Sequence, residues 1–167
     1  CSSDLVAVGG LQGLTLPWTT ALNVNVPAPA EGVEGTPLEA TVLLESSQGG
    51  WTSASTDVQP DFGAHPGNGF PPPPEATARQ PLAVELSGTF TSYFKGKKDP
   101  TITGDTGGTV LEQSPGSARL VLLGSTAVVN DLVLGLTRQG QSNLQLVENL
   151  VDWGVEDTDL LTIRSRS

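Results

Sequence analysis

The sequence predicts an α/β fold, with a β-rich N-terminal two-thirds whose long Gly/Pro loops pack on a strand–helix–helix–strand layer. Three observations support this. Short apolar, β-branched segments are typical of strands, and the 20 Gly and 13 Pro residues favour loops. Apolar side chains at helical spacing occur only in the last third. The length suits a single domain over residues 1–167. The order of the layer is typical of an open sheet, so we expect a flavodoxin/Rossmann-like arrangement.

Three N-terminal segments are predicted strands. Residues 22–26 alternate between apolar side chains and asparagines, which is the period of a half-buried strand. Residues 38–46 and 81–89 are apolar and rich in residues that favour strands. Residues 47–50 are predicted to form a turn after the second of these segments.

Two Gly/Pro-rich segments, near residues 57–80 and 99–117, are predicted mobile loops. The first contains four consecutive prolines at 71–74, which impose an extended polyproline II geometry and cannot pair in the centre of a sheet. Such a segment is either a docking site for a partner with aromatic grooves or a long connection. The sequence leaves both interpretations open.

The last third opens with a nearly continuous apolar run at 118–124, which is typical of a central strand covered on both faces. Residues 127–136 are a predicted helix. Ser142 and Gln145 form a capping-box signature that predicts the start of a second helix.

The second predicted helix runs to about residue 153, where Gly154 is a suitable terminator. It carries a wide apolar stripe that we expect to face the core. The stripe consists of Leu144, Val147 and Val151, with Leu146, Leu150 and Trp153 beside them. Residues 160–164 are predicted to form a final strand.

The composition excludes several classes of protein. The formal net charge is −10 and the pI about 4.3, and Lys95, Lys97 and Lys98 form the only basic cluster. Nucleic-acid binding requires larger clusters of Lys and Arg, so no nucleic-acid partner is predicted. One Cys allows no intrachain disulfide. No apolar run reaches the ~18 residues of a membrane span.

The first residue allows two interpretations. The sequence contains no Met, so we expect a processed protein or an excised fragment. Cys1 is either the acylated first residue of a mature lipoprotein or a fragment boundary that falls at a Cys. The resemblance described below favours the second interpretation.

The sequence contains no recognisable catalytic set. His65 is the only histidine, and it lies in a Gly/Pro loop where a general base would be hard to hold rigidly. Neither a G-x-S-x-G elbow nor a P-loop is present. Glu156, Asp157 and Asp159 are either a weak calcium site or a solvated turn. We therefore predict no enzymatic activity, no cofactor and no metal site.

Polar residues after the apolar run form a candidate ligand-binding site, which consists of Ser125, Thr126, Asn130 and Asp131. Ligands of open α/β sheets usually bind at the carboxyl end of a central strand. A helix N-terminus at that position would hold a small anion or a sugar. Alternatively, Ser125 or Thr126 only caps the helix.

The C-terminal part carries a sequence pattern that extends over a strand, a turn, a helix and the following segment. Its residues are Arg119, Leu120, Val121, Gly124, Ser125, Asn143, Asn149, Asp152, Trp153, Asp159, Leu160, Ile163 and Arg164. With weaker blocks at 14–22, 39–51 and 81–97, the pattern resembles the GldG-type auxiliary component of ABC transport systems, a family associated with gliding motility in some bacteria. Ala127 departs from this pattern, since the family often has an acidic residue there.

The resemblance implies a non-catalytic α/β domain on the extracytoplasmic face of the bacterial cell membrane. It implies that this chain is a fragment of a larger region, anchored in the membrane by segments outside the chain. The implied partners are the ABC permease and ATPase subunits of the same system, reached through protein contacts. The alternative is a receptor for a small molecule or glycan, in which Trp18, Trp51 and Tyr93 stack on sugar rings instead of packing in a core.

Overall fold

The computed structural model describes residues 8–11, 13–26, 35–97, 110–136 and 140–155. The fold of these residues is mixed α/β, as predicted. In chain order the elements are β1 (Glu39–Glu45), β2 (Pro81–Ser87), β3 (Arg119–Leu123), α1 (Asp131–Leu136) and α2 (Gly140–Gly154). Within these ranges, neither helix has the length and hydropathy needed to cross a bilayer. The strand predicted at 160–164 lies outside the described residues.

The strands form one sheet in the order β1-β2-β3, and both neighbouring pairs are antiparallel. A flavodoxin/Rossmann-like sheet consists mainly of parallel strands joined by crossover helices, so that arrangement is not confirmed. The predicted strands at 38–46 and 81–89 are confirmed as β1 and β2. β2 is the central strand, and its Ala83, Val84 and Glu85 are buried.

The strand that the sequence predicts to be central is instead an edge strand of the described sheet. β3 pairs with β2 alone in that part of the chain. Val121 and Leu123 pack against the core, whereas Leu120 and Leu122 are exposed. Successive side chains of a strand point to opposite faces. The prediction that both faces of this strand are covered is therefore wrong for the described residues, because Leu120 and Leu122 are 42% and 44% exposed.

Residues 22–26 do not form a strand, so that prediction is wrong. The backbone N–H of Leu22 donates to the Pro81 carbonyl oxygen at 2.8 Å, but Val24 is exposed. A strand needs a series of such bonds and a face to bury, and alternation of residue types provides neither by itself.

Both helices begin at positions other than those predicted. Residues 127–130 form a turn, in which the Asn130 N–H donates to the Ala127 carbonyl oxygen at 3.2 Å, and α1 starts at Asp131. α2 starts at Gly140, so Ser142 lies inside the helix and the capping-box prediction is wrong. Gly140 fits there because a Cβ would run into the backbone of Leu134.

The buried face of α2 differs from the predicted apolar stripe. Leu146, Leu150 and Trp153 are buried as expected, whereas Leu144 and Val151 are exposed. Two asparagines, Asn143 and Asn149, occupy the buried face instead. The core cluster consists of Leu43, Ala83, Val128, Leu146, Leu150 and Trp153.

A long loop joins β1 to β2, and its two ends are fastened together at what we call the loop neck: Ser46, Gly50, Ala78 and Gln80. The Ala78 N–H donates to the Gly50 carbonyl oxygen, and the Ser46 N–H donates to the Gln80 carbonyl oxygen, each at 2.9 Å. The Gln80 N–H donates to Ser46 Oγ at 2.9 Å. Residues 51–80 contain neither helix nor strand, so the loop predicted near 57–80 is confirmed as irregular structure.

Candidate functional site

A groove of about 1000 Å³ lies between the loop, the loop neck and the turn that carries Trp18. We call it the aromatic groove, because Trp18, Trp51 and Phe70 line it. Trp18 is 61% exposed, Phe70 is exposed and Trp51 is half-buried, so ring surfaces are available to a ligand. A second cavity, of about 490 Å³, is lined in the described part of the chain mainly by aliphatic side chains.

Trp18 has an uncommon backbone conformation, with a φ of 49°. This left-handed backbone conformation costs a residue with a Cβ about 1 kcal/mol or more of conformational free energy, so neighbouring contacts must hold Trp18 there. The Ser125 hydroxyl donates to the Pro17 carbonyl oxygen at 2.6 Å. The Thr20 N–H donates to the Gly124 carbonyl oxygen at 2.8 Å. These two bonds hold the turn on both sides of Trp18.

Gly124 is required for this close approach. A Cβ at this position would run into the Thr20 carbonyl oxygen. The Gly–Ser pair that follows β3 therefore positions Trp18 at the edge of the aromatic groove.

The polar lining of the groove is acidic. Asp57 and Asp61 line it, and none of the lining residues that the structure describes is Lys or Arg. Backbone N–H groups of Ala64 and Gly63 donate to Asp61 Oδ1 at 3.0 and 2.9 Å. These bonds, in that order of importance, hold the pKa of Asp61 below its ordinary value, and the charge of nearby His65 adds a smaller effect.

The described lining therefore combines ring surfaces and hydrogen-bond acceptors with two carboxylates. Such a lining suits a neutral ligand rich in hydroxyl groups, which can stack on rings and donate to carboxylates. An anionic ligand would be repelled by the carboxylates. His65 is half-buried in this lining and its backbone N–H donates to the Asp61 carbonyl oxygen at 2.9 Å, so it is part of the loop turn.

The four predicted ligand-binding residues differ in exposure. Ser125 is buried, and its hydroxyl also accepts a hydrogen bond from the Ala127 N–H at 3.2 Å. Thr126, Asn130 and Asp131 are exposed and lie outside the lining of the aromatic groove. Ligand binding at Ser125, Thr126, Asn130 and Asp131 stays a prediction.

The buried asparagine of the C-terminal pattern ties three segments together. Asn143 is fully buried, and its Nδ2 donates to the carbonyl oxygens of Thr15 and Val128 at 2.7 and 2.8 Å. Its Oδ1 accepts from the Thr15 N–H at 3.1 Å. This side chain joins α2 to the N-terminal segment and to the turn before α1.

Arg119 and Trp153 join the sheet to α2. Arg119 Nη1 donates to the Trp153 carbonyl oxygen at 2.7 Å, and its guanidinium lies 4.9 Å from the centroid of the Trp153 ring. The described pattern residues at 119, 143 and 153 therefore build the fold and do not line the groove.

Sequence analysis missed Asp57, Asp61 and Phe70 as groove residues, because the loop that carries them has no periodicity. The spacing of Asp61 and Gly63 is a signal of a side-chain–backbone turn that could have indicated local order. Trp18, Trp51 and Tyr93 are the stacking residues of the alternative receptor hypothesis, and the groove lining contains Trp18 and Trp51 but not Tyr93. The acidic residues 156–159 lie outside the described residues, and the described part contains no cluster of three or more potential metal ligands.

Comparison with known proteins identifies the family. A family model described as an ABC-type uncharacterized transport system matches residues 2–153. No curated protein and no solved structure matches the chain. The match extends over both the loops and the sheet–helix layer. The chain therefore belongs to the family of auxiliary components of uncharacterized ABC-type transport systems.

Proposed function

We propose that the chain is a non-catalytic, extracytoplasmic part of such an auxiliary component and that it acts through contacts with the ABC permease, which works with the ATPase of the same system. It is held at the bacterial cell membrane by segments outside this chain. The family match is the observation that carries the transport role, and it points to a non-enzyme. The Arg119–Trp153 contact, formed by two residues of the GldG-type pattern, supports placement in that gliding-motility subfamily.

The contact surface that we assign to the permease is the sheet face turned away from α2, the outer sheet face. The strand register places apolar side chains side by side on it. They are the half-buried Ala40, Val42 and Leu86 and the exposed Leu120 and Leu122, next to the buried Val84. Leu120 and Leu122 are 42% and 44% exposed. A contiguous apolar patch of this kind typically marks a protein interface.

Co-purification with the permease tests this assignment. The full-length protein is extracted from membranes with a tagged permease, and the wild type is compared with the Leu120→Lys/Leu122→Lys double variant. We expect the variant to retain at least tenfold less protein on the permease, because two charges would be buried at the contact.

The matched control is Val151→Lys/Val155→Lys, which places the same charges at exposed positions on α2 and directly after it. It should bind the permease like the wild type. Equal retention of both double variants would contradict the assignment. Unfolding curves of all three proteins separate loss of contact from loss of fold.

The aromatic groove supports a second candidate function, a receptor domain for a neutral glycan. The observation that favours it is that Trp18 and Trp51 line one groove together with two carboxylates. Stacking on each ring and hydrogen bonds to Asp57 and Asp61 would orient sugar rings along the groove.

Tryptophan fluorescence titration with neutral and acidic oligosaccharides tests the receptor function. We expect a neutral oligosaccharide to bind, and Trp18→Ala or Trp51→Ala to weaken binding about tenfold. Tyr93→Ala, an exposed aromatic outside the groove, is the control and should leave the Kd unchanged. If Asn130→Ala weakens binding while the tryptophan variants do not, the ligand lies at the site predicted from the sequence instead.

A further inference from the structure

A short β-ladder projects a turn that differs chemically from the rest of the chain. Thr91 and Gln113 form an antiparallel bridge, and the Ser92 N–H donates to the Glu112 carbonyl oxygen at 2.8 Å. Beyond this ladder the chain turns back through residues 93–97. We call the surface formed by Tyr93, Phe94, Lys95, Lys97 and Leu111 the aromatic–basic tip.

The tip carries the most exposed apolar side chains of the described residues. Leu111 is 81% exposed and Tyr93 is 76% exposed, the two highest values among the large hydrophobic side chains there. Phe94 is also exposed. Tyr93 follows Ser92 and Leu111 precedes Glu112 along the chain, so the Ser92–Glu112 backbone bond brings their two segments together.

The tip also carries positive charge in a strongly acidic protein. The formal net charge is −10, and the only lysines of the sequence are Lys95, Lys97 and Lys98. Both lysines of the tip are exposed. Exposed rings and aliphatic carbon are therefore combined with ammonium groups at the tip.

The rings of the tip are ordered by their own contacts. Lys97 Nζ lies 3.5 Å from the centroid of the Tyr93 ring. The Tyr93 and Phe94 rings meet edge to face, with centroids 5.2 Å apart. The Lys97 N–H donates to the Phe94 carbonyl oxygen at 2.8 Å, which closes the turn. Ordered side chains lose less conformational entropy when they bind.

We propose that the aromatic–basic tip docks on an anionic lipid bilayer, apart from any contact with the permease or a glycan. Amphipathic rings are favoured at the level of the lipid headgroups, where Tyr93, Phe94 and Leu111 would lie. Lysine stems extend along apolar surface while their ammonium groups reach lipid phosphates. Charge complementarity favours a lipid partner, since anionic headgroups attract Lys95 and Lys97 and repel the acidic remainder of the chain.

One carboxylate at the tip opposes this docking. Lys95 Nζ lies 3.8 Å from Glu112 Oε2, and both side chains are largely exposed. An exposed ion pair of this kind is weak, so a lipid phosphate can replace the carboxylate. Removal of the Glu112 charge should therefore strengthen lipid binding.

Vesicle flotation of the purified chain tests the proposal. One set of vesicles contains phosphatidylcholine and phosphatidylglycerol in equal amounts, and the other contains phosphatidylcholine alone. We expect binding to the anionic vesicles that decreases with added salt. Lys95→Glu/Lys97→Glu should lower the partition coefficient on anionic vesicles at least about tenfold. Glu112→Gln should raise it.

The apolar part of the tip is tested separately. Tyr93→Ser/Leu111→Ser should weaken binding to anionic vesicles several-fold, whereas Phe62→Ser, an equally polar change at an exposed ring in the β1–β2 loop, should have no effect. All variants should keep the wild-type unfolding curve, since the tip lies outside the core.

Two outcomes would overturn the proposal. The first is an absence of flotation with anionic vesicles. The second is flotation that responds to the lysine variants but not to Tyr93→Ser/Leu111→Ser, together with equal binding to polyglutamate. That result would identify the tip as an electrostatic contact for an acidic protein.

Discussion

The sheet–α2 layer and the β1–β2 loop use similar residue types in opposite ways. In the layer, Trp153 and Asn143 are buried and hold elements together. In the loop and the turn beside it, Trp18 and Phe62 are exposed. Arg119, Asn143 and Trp153 of the family pattern are thus found where the structure needs them for stability. Asp57, Asp61 and Phe70 of the aromatic groove come instead from a loop that carries no such pattern.

The largest effect on stability is expected from a comparison of two tryptophans. Trp153→Ala should lower the free energy of unfolding by about 4 kcal/mol, because it leaves a cavity in the core and removes the ring beneath Arg119. Trp18→Ala should change it by less than about 1 kcal/mol, since this ring is mostly exposed. Urea unfolding followed by circular dichroism measures both. A similar loss of unfolding free energy in the two variants would contradict the conclusion that tryptophan stabilises the fold in the layer but not beside the loop.

The second test removes the buried amide of α2. Asn143→Ala should cost about 3 kcal/mol of unfolding free energy, because backbone groups of Thr15 and Val128 lose their hydrogen-bond partners. Gln141→Ala, at an exposed position of the same helix, should change stability by less than about 0.5 kcal/mol. A loss below 1 kcal/mol for the Asn143 variant would mean that water satisfies these groups.

The third test concerns the connection between the two regions. Gly124→Ala should cost about 2 kcal/mol and shift the fluorescence of Trp18, because the added methyl group pushes the turn at Thr20 away from β3. Gly49→Ala, in the turn after β1, meets open space beyond Ser47 and serves as the control. A stable Gly124 variant with unchanged Trp18 emission would show that the groove does not depend on this connection.

The smallest effect is expected at Asp61. Folding lowers the pKa of this carboxyl group, so its contribution to stability is fully present at neutral pH and disappears as the pH falls through the folded-state pKa. NMR titration of the Gly63 and Ala64 amides should give a midpoint below that of an aspartate in an unfolded chain. Asp61→Asn should abolish this titration while leaving global stability nearly unchanged. A titration midpoint at the pKa of an aspartate in an unfolded chain would contradict the hydrogen-bonded turn at Asp61.

The strands of the layer could be predicted where local preference and burial agree. Residues 38–46 and 81–89 are apolar and β-branched, and both form strands. Strand direction could not be predicted, because it depends on how the connections pack and not on the strands themselves. The apolar run at 118–124 indicated a strand correctly, but it could not show that Leu120 and Leu122 face outward.

The face of α2 was mispredicted for a specific chemical reason. Asn143 and Asn149 count as polar in any hydrophobic pattern, yet both are buried. A buried amide is stable only with partners from distant segments, and sequence periodicity carries no information about them. The groove could be predicted only to the extent that the alternative receptor hypothesis named Trp18 and Trp51 as stacking residues. Its carboxylates come from a loop without any repeating pattern.

The loop neck makes the length of the β1–β2 connection nearly independent of the sheet. Because backbone bonds at Gly50 and Ala78 close the loop, insertions or deletions between them do not alter the register of β1 and β2. Each doubling of loop length costs only about 0.6 kcal/mol in closure entropy. Most residues that line the aromatic groove can therefore change together during evolution while the sheet–α2 layer stays intact. The same neck offers protein engineers a position at which a foreign binding loop can be grafted.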